Sequence, residues 1–131
     1  MPTERYRKNA GAVFSLKYHL VFCPKYRKGI LGGELKTRLE QLIREKAEQL
    51  EITILALEIM PDHVHIFLET DVRFAPAQIA QYFKGYTSKV LRDEFDWLLR
   101  MPSLWSRSYY IGTVGAATES AVKKYIENQN S

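Results

Sequence analysis

The stretch from residue 52 to residue 70 constrains the chain more than any other. ITILALEIM at 52–60 is apolar and β-branched, Met60-Pro61-Asp62 breaks it, and HVHIFLET at 63–70 alternates. A long β-branched run reads as a strand, here a central one. Proline and aspartate favour a turn, so the two runs should pair as a hairpin. Along a strand, residues two apart share a face. Val64, Ile66 and Leu68 therefore point one way, and His63, His65, Phe67 and Glu69 the other. The aliphatic side needs a core, which leaves the histidines on the opposite side.

The flanking segments supply that core. In AVFSLKYHLVFC at 12–23, Phe14, Leu16, Tyr18, Leu20 and Phe22 alternate with Ser15, Lys17 and His19, the pattern of a half-buried strand. ELKTRLEQLIREKAEQL at 34–50 places Leu35, Leu39, Leu42, Ile43, Ala47 and Leu50 at three- and four-residue steps, an amphipathic helix. Pro76 suits a helix start, and Ile79, Phe83, Tyr86 and Val90 form a stripe running to about Asp93. SYYIGTV at 108–114 reads as a fourth strand and Gly115 as a flexible joint. Thr118 is placed to cap a last helix, ESAVKKYIENQ, with Glu119 favourable at its positive end. The order predicts an α+β, ferredoxin-like βαββαβ antiparallel sheet with both helices on one face, plus a C-terminal helix. The chain of 131 residues fits one domain, 1–131, and its 46% hydrophobic content is enough for one core.

Several classes are disfavoured. No apolar run approaches the roughly 20 residues of a membrane helix. The polar, basic N-terminus lacks a signal-peptide stretch. The lone Cys23 cannot form an internal disulfide and suits a reducing cytoplasm. The net charge is +4 and unevenly spread. Arg5, Arg7, Lys8, Lys17, Lys25, Arg27 and Lys28 crowd the first 28 residues against one acid, Glu4. Such a basic segment suits contact with phosphates, or forms a solvated surface.

Two features carry chemistry. His63 and His65 stand about 6.6 Å apart along a strand, close enough to converge on one ion. Two imidazoles do not complete a coordination sphere. Oxygen ligands would favour magnesium or manganese, although imidazole also suits zinc. In the last helix Tyr125 and Gln129 are four apart and share a face, with Lys123 and Lys124 beside the tyrosine. A phenol with a pKa near about 10 is a poor nucleophile until a cation stabilises its anion. Tyr125 can equally be a packing aromatic, and the histidines can be ordinary surface residues.

MPDHVHIF at 60–67 and KKYIENQ at 123–129 together resemble the single-tyrosine HUH transposases of small insertion sequences, the TnpA family. So do YHLVFCPKYRKGIL at 18–31, FKGYTSKVLR at 83–92 and LWSRSYYIGTVG at 104–115. Phe22 stands where tryptophan is frequent in that family. The resemblance implies a ferredoxin-like core, His63 and His65 as metal ligands, Gln129 as a third ligand and Tyr125 as the nucleophile. It implies Mg2+ or Mn2+ and a single-stranded DNA substrate with hairpin ends. Cleavage would pass through a 5′-phosphotyrosine link and release a 3′-hydroxyl for rejoining. It also implies a homodimer in which the tyrosine helix of one subunit completes the histidine pair of the other. Gly112 and Gly115 would be the hinge for that exchange.

Lys25, Arg27, Lys84, Lys89 and Arg92 are candidates for the DNA backbone, and Trp105 for stacking on an unpaired base. Two alternatives stay open. One is a domesticated HUH nuclease acting on repeated palindromes. The other is a non-enzymatic RNA- or DNA-binding ferredoxin-like module.

Overall fold

The alternating pattern of residues 63–70 becomes a strand at the middle of the sheet. The computed structural model describes residues 7–9, 12–113 and 119–129. Arg7–Asn9 (β1) and Ala12–Phe14 (β2) pair as a short hairpin. Leu16–Phe22 (β3), Gly33–Leu50 (α1), Thr53–Met60 (β4), His63–Thr70 (β5), Pro76–Glu94 (α2), Tyr110–Thr113 (β6) and Glu119–Asn128 (α3) follow. The four longer-range strands lie in the order β4-β5-β3-β6, and every neighbouring pair is antiparallel. This is the α+β ferredoxin-like arrangement that the element order predicts. None of the described helices is long and apolar enough to cross a membrane.

The amphipathic pattern places the core. Leu20 and Phe22 of β3 and Val64, Ile66 and Leu68 of β5 are fully buried with Leu39, Leu42 and Ile43 of α1 and Ile79, Phe83 and Leu91 of α2. Pro76 occupies the first turn of α2, and the Gln78 Oε1 accepts the Ala75 N–H at 2.8 Å, which satisfies a donor the helix start would leave open. Gly33 opens α1 with φ of 56°, a left-handed conformation that suits glycine.

Three expectations change. The strand read over 12–23 divides at Ser15: residues 12–14 turn back onto β1, and the Ser15 hydroxyl donates to the Glu69 carboxylate at 2.5 Å. β4 is an edge strand rather than a central one. Its run is apolar, but Thr53, Ala56, Glu58 and Met60 are exposed, and β3 takes the inner position beside β5. The fourth strand begins at Tyr110 because the preceding loop is held elsewhere: the Lys84 ammonium donates to the carbonyls of Ser106, Arg107 and Ser108 at 2.8, 3.2 and 3.4 Å.

The face of the sheet away from α1 and α2 is partly covered. Val21 and Cys23 alternate with the core residues of β3, yet both are fully buried. Helix α3 lies there, with Val122 buried and Tyr125 beside Cys23.

Candidate active site

The strand period fixes which side of the sheet each histidine takes. His63 and His65 alternate with the buried Val64 and Ile66 and sit half-buried on the opposite face. His65 lies between Glu58 of β4 and Val21 of β3. His63 pairs with Met60 across the turn.

Each imidazole is held by a neighbour. His63 Nδ1 donates to Asp62 Oδ1 at 3.0 Å, which leaves Nε2 as the nitrogen able to ligate. The other Asp62 oxygen faces Arg27 Nε at 3.3 Å. His65 Nε2 and His19 Nδ1 share a hydrogen bond of 2.9 Å, and the His19 ring stacks on Phe67 with centroids 4.9 Å apart. Burial holds the His65 pKa below its ordinary value, His19 and His63 push it the same way, and Glu58 opposes them. The neutral imidazole, the form that binds metals, is therefore favoured. His63 and His65 fit two ligands of a divalent ion. Among the described residues no three His, Cys, Asp or Glu side chains gather into a complete site, so the remaining ligands would be an amide, water or phosphate oxygen.

The loop carrying Arg27 is unusual. Tyr26 and Arg27 have φ of 60° and 51°, consecutive left-handed residues without glycine. Such residues cost on the order of 1–3 kcal/mol each and persist where surroundings hold them. Arg27 Nη1 reaches across to donate to the Ile126 carbonyl of α3 at 2.7 Å.

Helix α3 presents Tyr125 and Gln129 to the sheet. The Tyr125 hydroxyl is buried beside Ser108, Ser106 and Cys23, and no atom among the described residues completes a hydrogen bond with it. Burial raises the phenol above its ordinary pKa, and the Ser108 hydroxyl opposes the rise. Gln129 is buried, and its Oε1 accepts the Ser108 hydroxyl at 2.5 Å. The Tyr110 and Tyr125 rings pack with centroids 6.4 Å apart. A shallow cleft beside them is lined by Ser108, Tyr109, Lys124, Tyr125, Asn128 and Gln129.

Tyr125, Gln129, His63 and His65 thus occupy one face of the sheet. In the antiparallel register Phe22 is opposite Val64. The next residues along, Cys23 and His63, occupy adjoining positions on the open face, and Cys23 neighbours Tyr125. Among the described residues no hydrogen bond joins the tyrosine helix to either histidine.

The candidate DNA contacts divide. Lys25 lies over the exposed Tyr26 ring at 5.3 Å, and Lys89 is exposed with a loose Asp93 partner at 3.7 Å. Arg27 is taken up by Asp62 and Ile126. Lys84 is taken up by the loop carbonyls, and Arg92 donates to the Met101 and Leu98 carbonyls at 3.0 and 3.4 Å. Trp105 must be corrected: it is 5% exposed, sits edge-on to Phe22 and donates its indole N–H to Thr87 Oγ1 at 3.0 Å. A buried ring in the core has no free face for a base. Gly112 lies inside β6 opposite His19, where the ladder holds it, while Gly115 and Thr118 fall outside the described residues. Ser106 and Ser108, which surround Tyr125, have one signal in the sequence, the polar SRS run just before a strand.

The family described as "Transposase IS200 like" matches residues 12–129. The chain is similar to the ISDra2 transposase TnpA of Deinococcus radiodurans, 35% identical over 133 residues, spanning 99% of this chain and 94% of that protein. It is 34% identical over 119 residues to the transposase for insertion sequence element IS200 of Salmonella typhimurium, spanning 88% of this chain and 78% of that one. A crystal structure from Deinococcus radiodurans assigned as a transposase superposes with a TM-score of 0.87 at 32% identity, covering 95% of this chain and 98% of that one. A REP-associated tyrosine transposase bound to a REP hairpin shares the fold, with a TM-score of 0.59 at 10% identity over 93% of this chain and 67% of that one.

Proposed function

The chain belongs to the IS200-like transposase family, and on that footing we propose that it cleaves and rejoins single-stranded DNA at hairpin ends with Tyr125 as nucleophile and His63, His65 and Gln129 as ligands of Mg2+ or Mn2+. The observation that supports this most is the shared face: the phenol and the imidazole pair occupy neighbouring positions on one side of one sheet, joined through Cys23. A binding module has no need of that juxtaposition.

In the proposed reaction the Tyr125 oxygen attacks a scissile phosphorus. The O–P bond to tyrosine forms, the bond to the 3′-oxygen breaks, the phenol loses its proton and the 3′-oxygen gains one. A 5′-phosphotyrosine ester and a 3′-hydroxyl result. One phosphodiester replaces another of similar energy, so the same residues support rejoining. A divalent ion, when bound, polarises a phosphate oxygen and offsets the developing charge. Asp62 turns the Nε2 of His63 outward, and the half-buried position of His65 favours the neutral form of its ring.

On this reading α3 takes a non-cleaving position. Its phenol is buried with a raised pKa, and Gln129 is held by Ser108. Cleavage then requires the helix to move, and a homodimer in which it crosses to the partner's histidines satisfies that need. The test is denaturing electrophoresis after incubation with labelled hairpin-ended single-stranded DNA and Mn2+. A protein–DNA band that requires Tyr125, His63 and His65 supports the proposal. A band that survives Tyr125→Phe overturns it.

A further inference from the structure

Arg27 touches both halves of the candidate site. Its Nε faces Asp62 Oδ2 at 3.3 Å, and Asp62 Oδ1 accepts from His63 Nδ1 at 3.0 Å. Its Nη1 donates to the Ile126 carbonyl at 2.7 Å, one residue beyond Tyr125. A continuous path therefore runs from the ligating ring, through a carboxylate and a guanidinium, to the last turn of the tyrosine helix.

Three features make this path more than a surface ion pair. The guanidinium has a planar set of donors, so one side chain can hold two acceptors in a fixed geometry, which an ammonium cannot reproduce. Cations are favoured at the carbonyl end of a helix, where Ile126 sits. The backbone at Tyr26 and Arg27 adopts two successive left-handed conformations, which points the guanidinium between the β4–β5 turn and α3. Strain held at such a place marks a position where surroundings demand it.

We propose that Arg27 is a positioning residue that couples docking of the tyrosine helix to the orientation of the metal-ligating His63, rather than a DNA contact. This rests on His63 being a metal ligand, as argued above. With α3 docked, the Ile126 carbonyl and Asp62 fix the guanidinium together, and Asp62 in turn fixes the imidazole. Undocking removes one of those acceptors and loosens the carboxylate. Such coupling is reciprocal: what docking does for ion affinity, the ion does for docking.

The experiment uses the full chain, with Mn2+ as probe. Mn2+ affinity is read by electron paramagnetic resonance, and hydrogen exchange of α3 amides is followed with and without the ion. Arg27→Gln keeps the same backbone demand and removes the charge; Arg27→Lys keeps the charge without the fork. Circular dichroism confirms that both variants are folded, as expected for a side chain 36% exposed. The expected result is about tenfold weaker Mn2+ binding in Arg27→Gln, in the range for loss of an outer-shell partner. Faster α3 exchange and loss of the effect of Mn2+ on that exchange should accompany it. Arg27→Lys should recover only part of each. If Mn2+ binds and depends on His63 and His65, yet Arg27→Gln changes neither affinity nor exchange, the coupling is wrong and the catalytic proposal survives. If the native chain binds no Mn2+, both fall.

Discussion

Ser108 donates its hydroxyl to Gln129 Oε1 at 2.5 Å, so the residue proposed to reach a metal is instead fastened to the loop before β6. The same loop is anchored by Lys84 through three carbonyls. A hydrogen bond of this kind contributes on the order of 1 kcal/mol net. Ser108→Ala should therefore speed hydrogen exchange across α3 by roughly fivefold at about 1 kcal/mol. Exchange rates identical to those of the native chain would show that this contact does not hold the helix.

The Tyr125 hydroxyl is buried without a completed hydrogen bond among the described residues. An unsatisfied buried hydroxyl costs roughly 1–3 kcal/mol. Tyr125→Phe removes it while keeping the ring against Tyr110. The variant should be as stable as the native chain or more stable by about 1 kcal/mol, measured by urea denaturation, although it forms no covalent DNA adduct. A loss of stability of that size would mean that the hydroxyl has a partner in solution.

Cys23 gives a pH signature. Burial, with a contribution from the Asp62 charge and against that of Arg27, pushes its thiol from 9.0 up to about 11. The thiolate is the reactive form. Iodoacetamide should therefore label the folded chain negligibly at pH 8 and detectably only as the pH nears 11. Because the folded pKa is the higher one, the associated stability is fully present below pH 9.0 and is lost as the pH rises toward 11. Labelling at pH 8 as fast as in urea would contradict a closed α3.

Lys84 has a structural task, because its ammonium already faces three carbonyls and burial lowers its pKa. Lys84→Met should lower stability while leaving the salt dependence of single-stranded DNA binding unchanged. A true phosphate contact would reduce the slope of log affinity against log salt by about 0.7. That reduction in the Lys84 variant would return the residue to the DNA interface.

Much of this architecture was legible because side-chain periodicity maps directly onto faces. The alternation of Val64, Ile66 and Leu68 against His63 and His65 set the sheet's two sides, and the leucine steps of 35–50 set the first helix. Position within the sheet was not legible from the same patterns. The 52–60 run is apolar enough for an interior strand, yet β3 takes that place, because strand order depends on pairing across the whole chain rather than on composition. The break at Ser15 rests on a contact with Glu69, 54 residues away. The residue types of Lys84, Arg92 and Trp105 suit packing as well as DNA. Only their partners, carbonyls for the cations and Phe22 with Thr87 for the indole, separate the two roles. The docking of α3 onto Cys23, Ser106 and Ser108 joins segments far apart in the chain, and the polar SRS run is its one local trace.

The central claim is that one phenolic oxygen becomes esterified to DNA. It is tested most directly by trapping the reaction with hairpin-ended single-stranded DNA and Mn2+, digesting with trypsin and nuclease, and locating the nucleotide by mass spectrometry. Cleavage after Lys124 gives a peptide that begins YIENQNS, from residue 125. The expected result is a nucleotide mass on that peptide, at Tyr125, absent when His63 and His65 are replaced by alanine. A nucleotide on any other residue, or strand cleavage with no linked peptide, would contradict it.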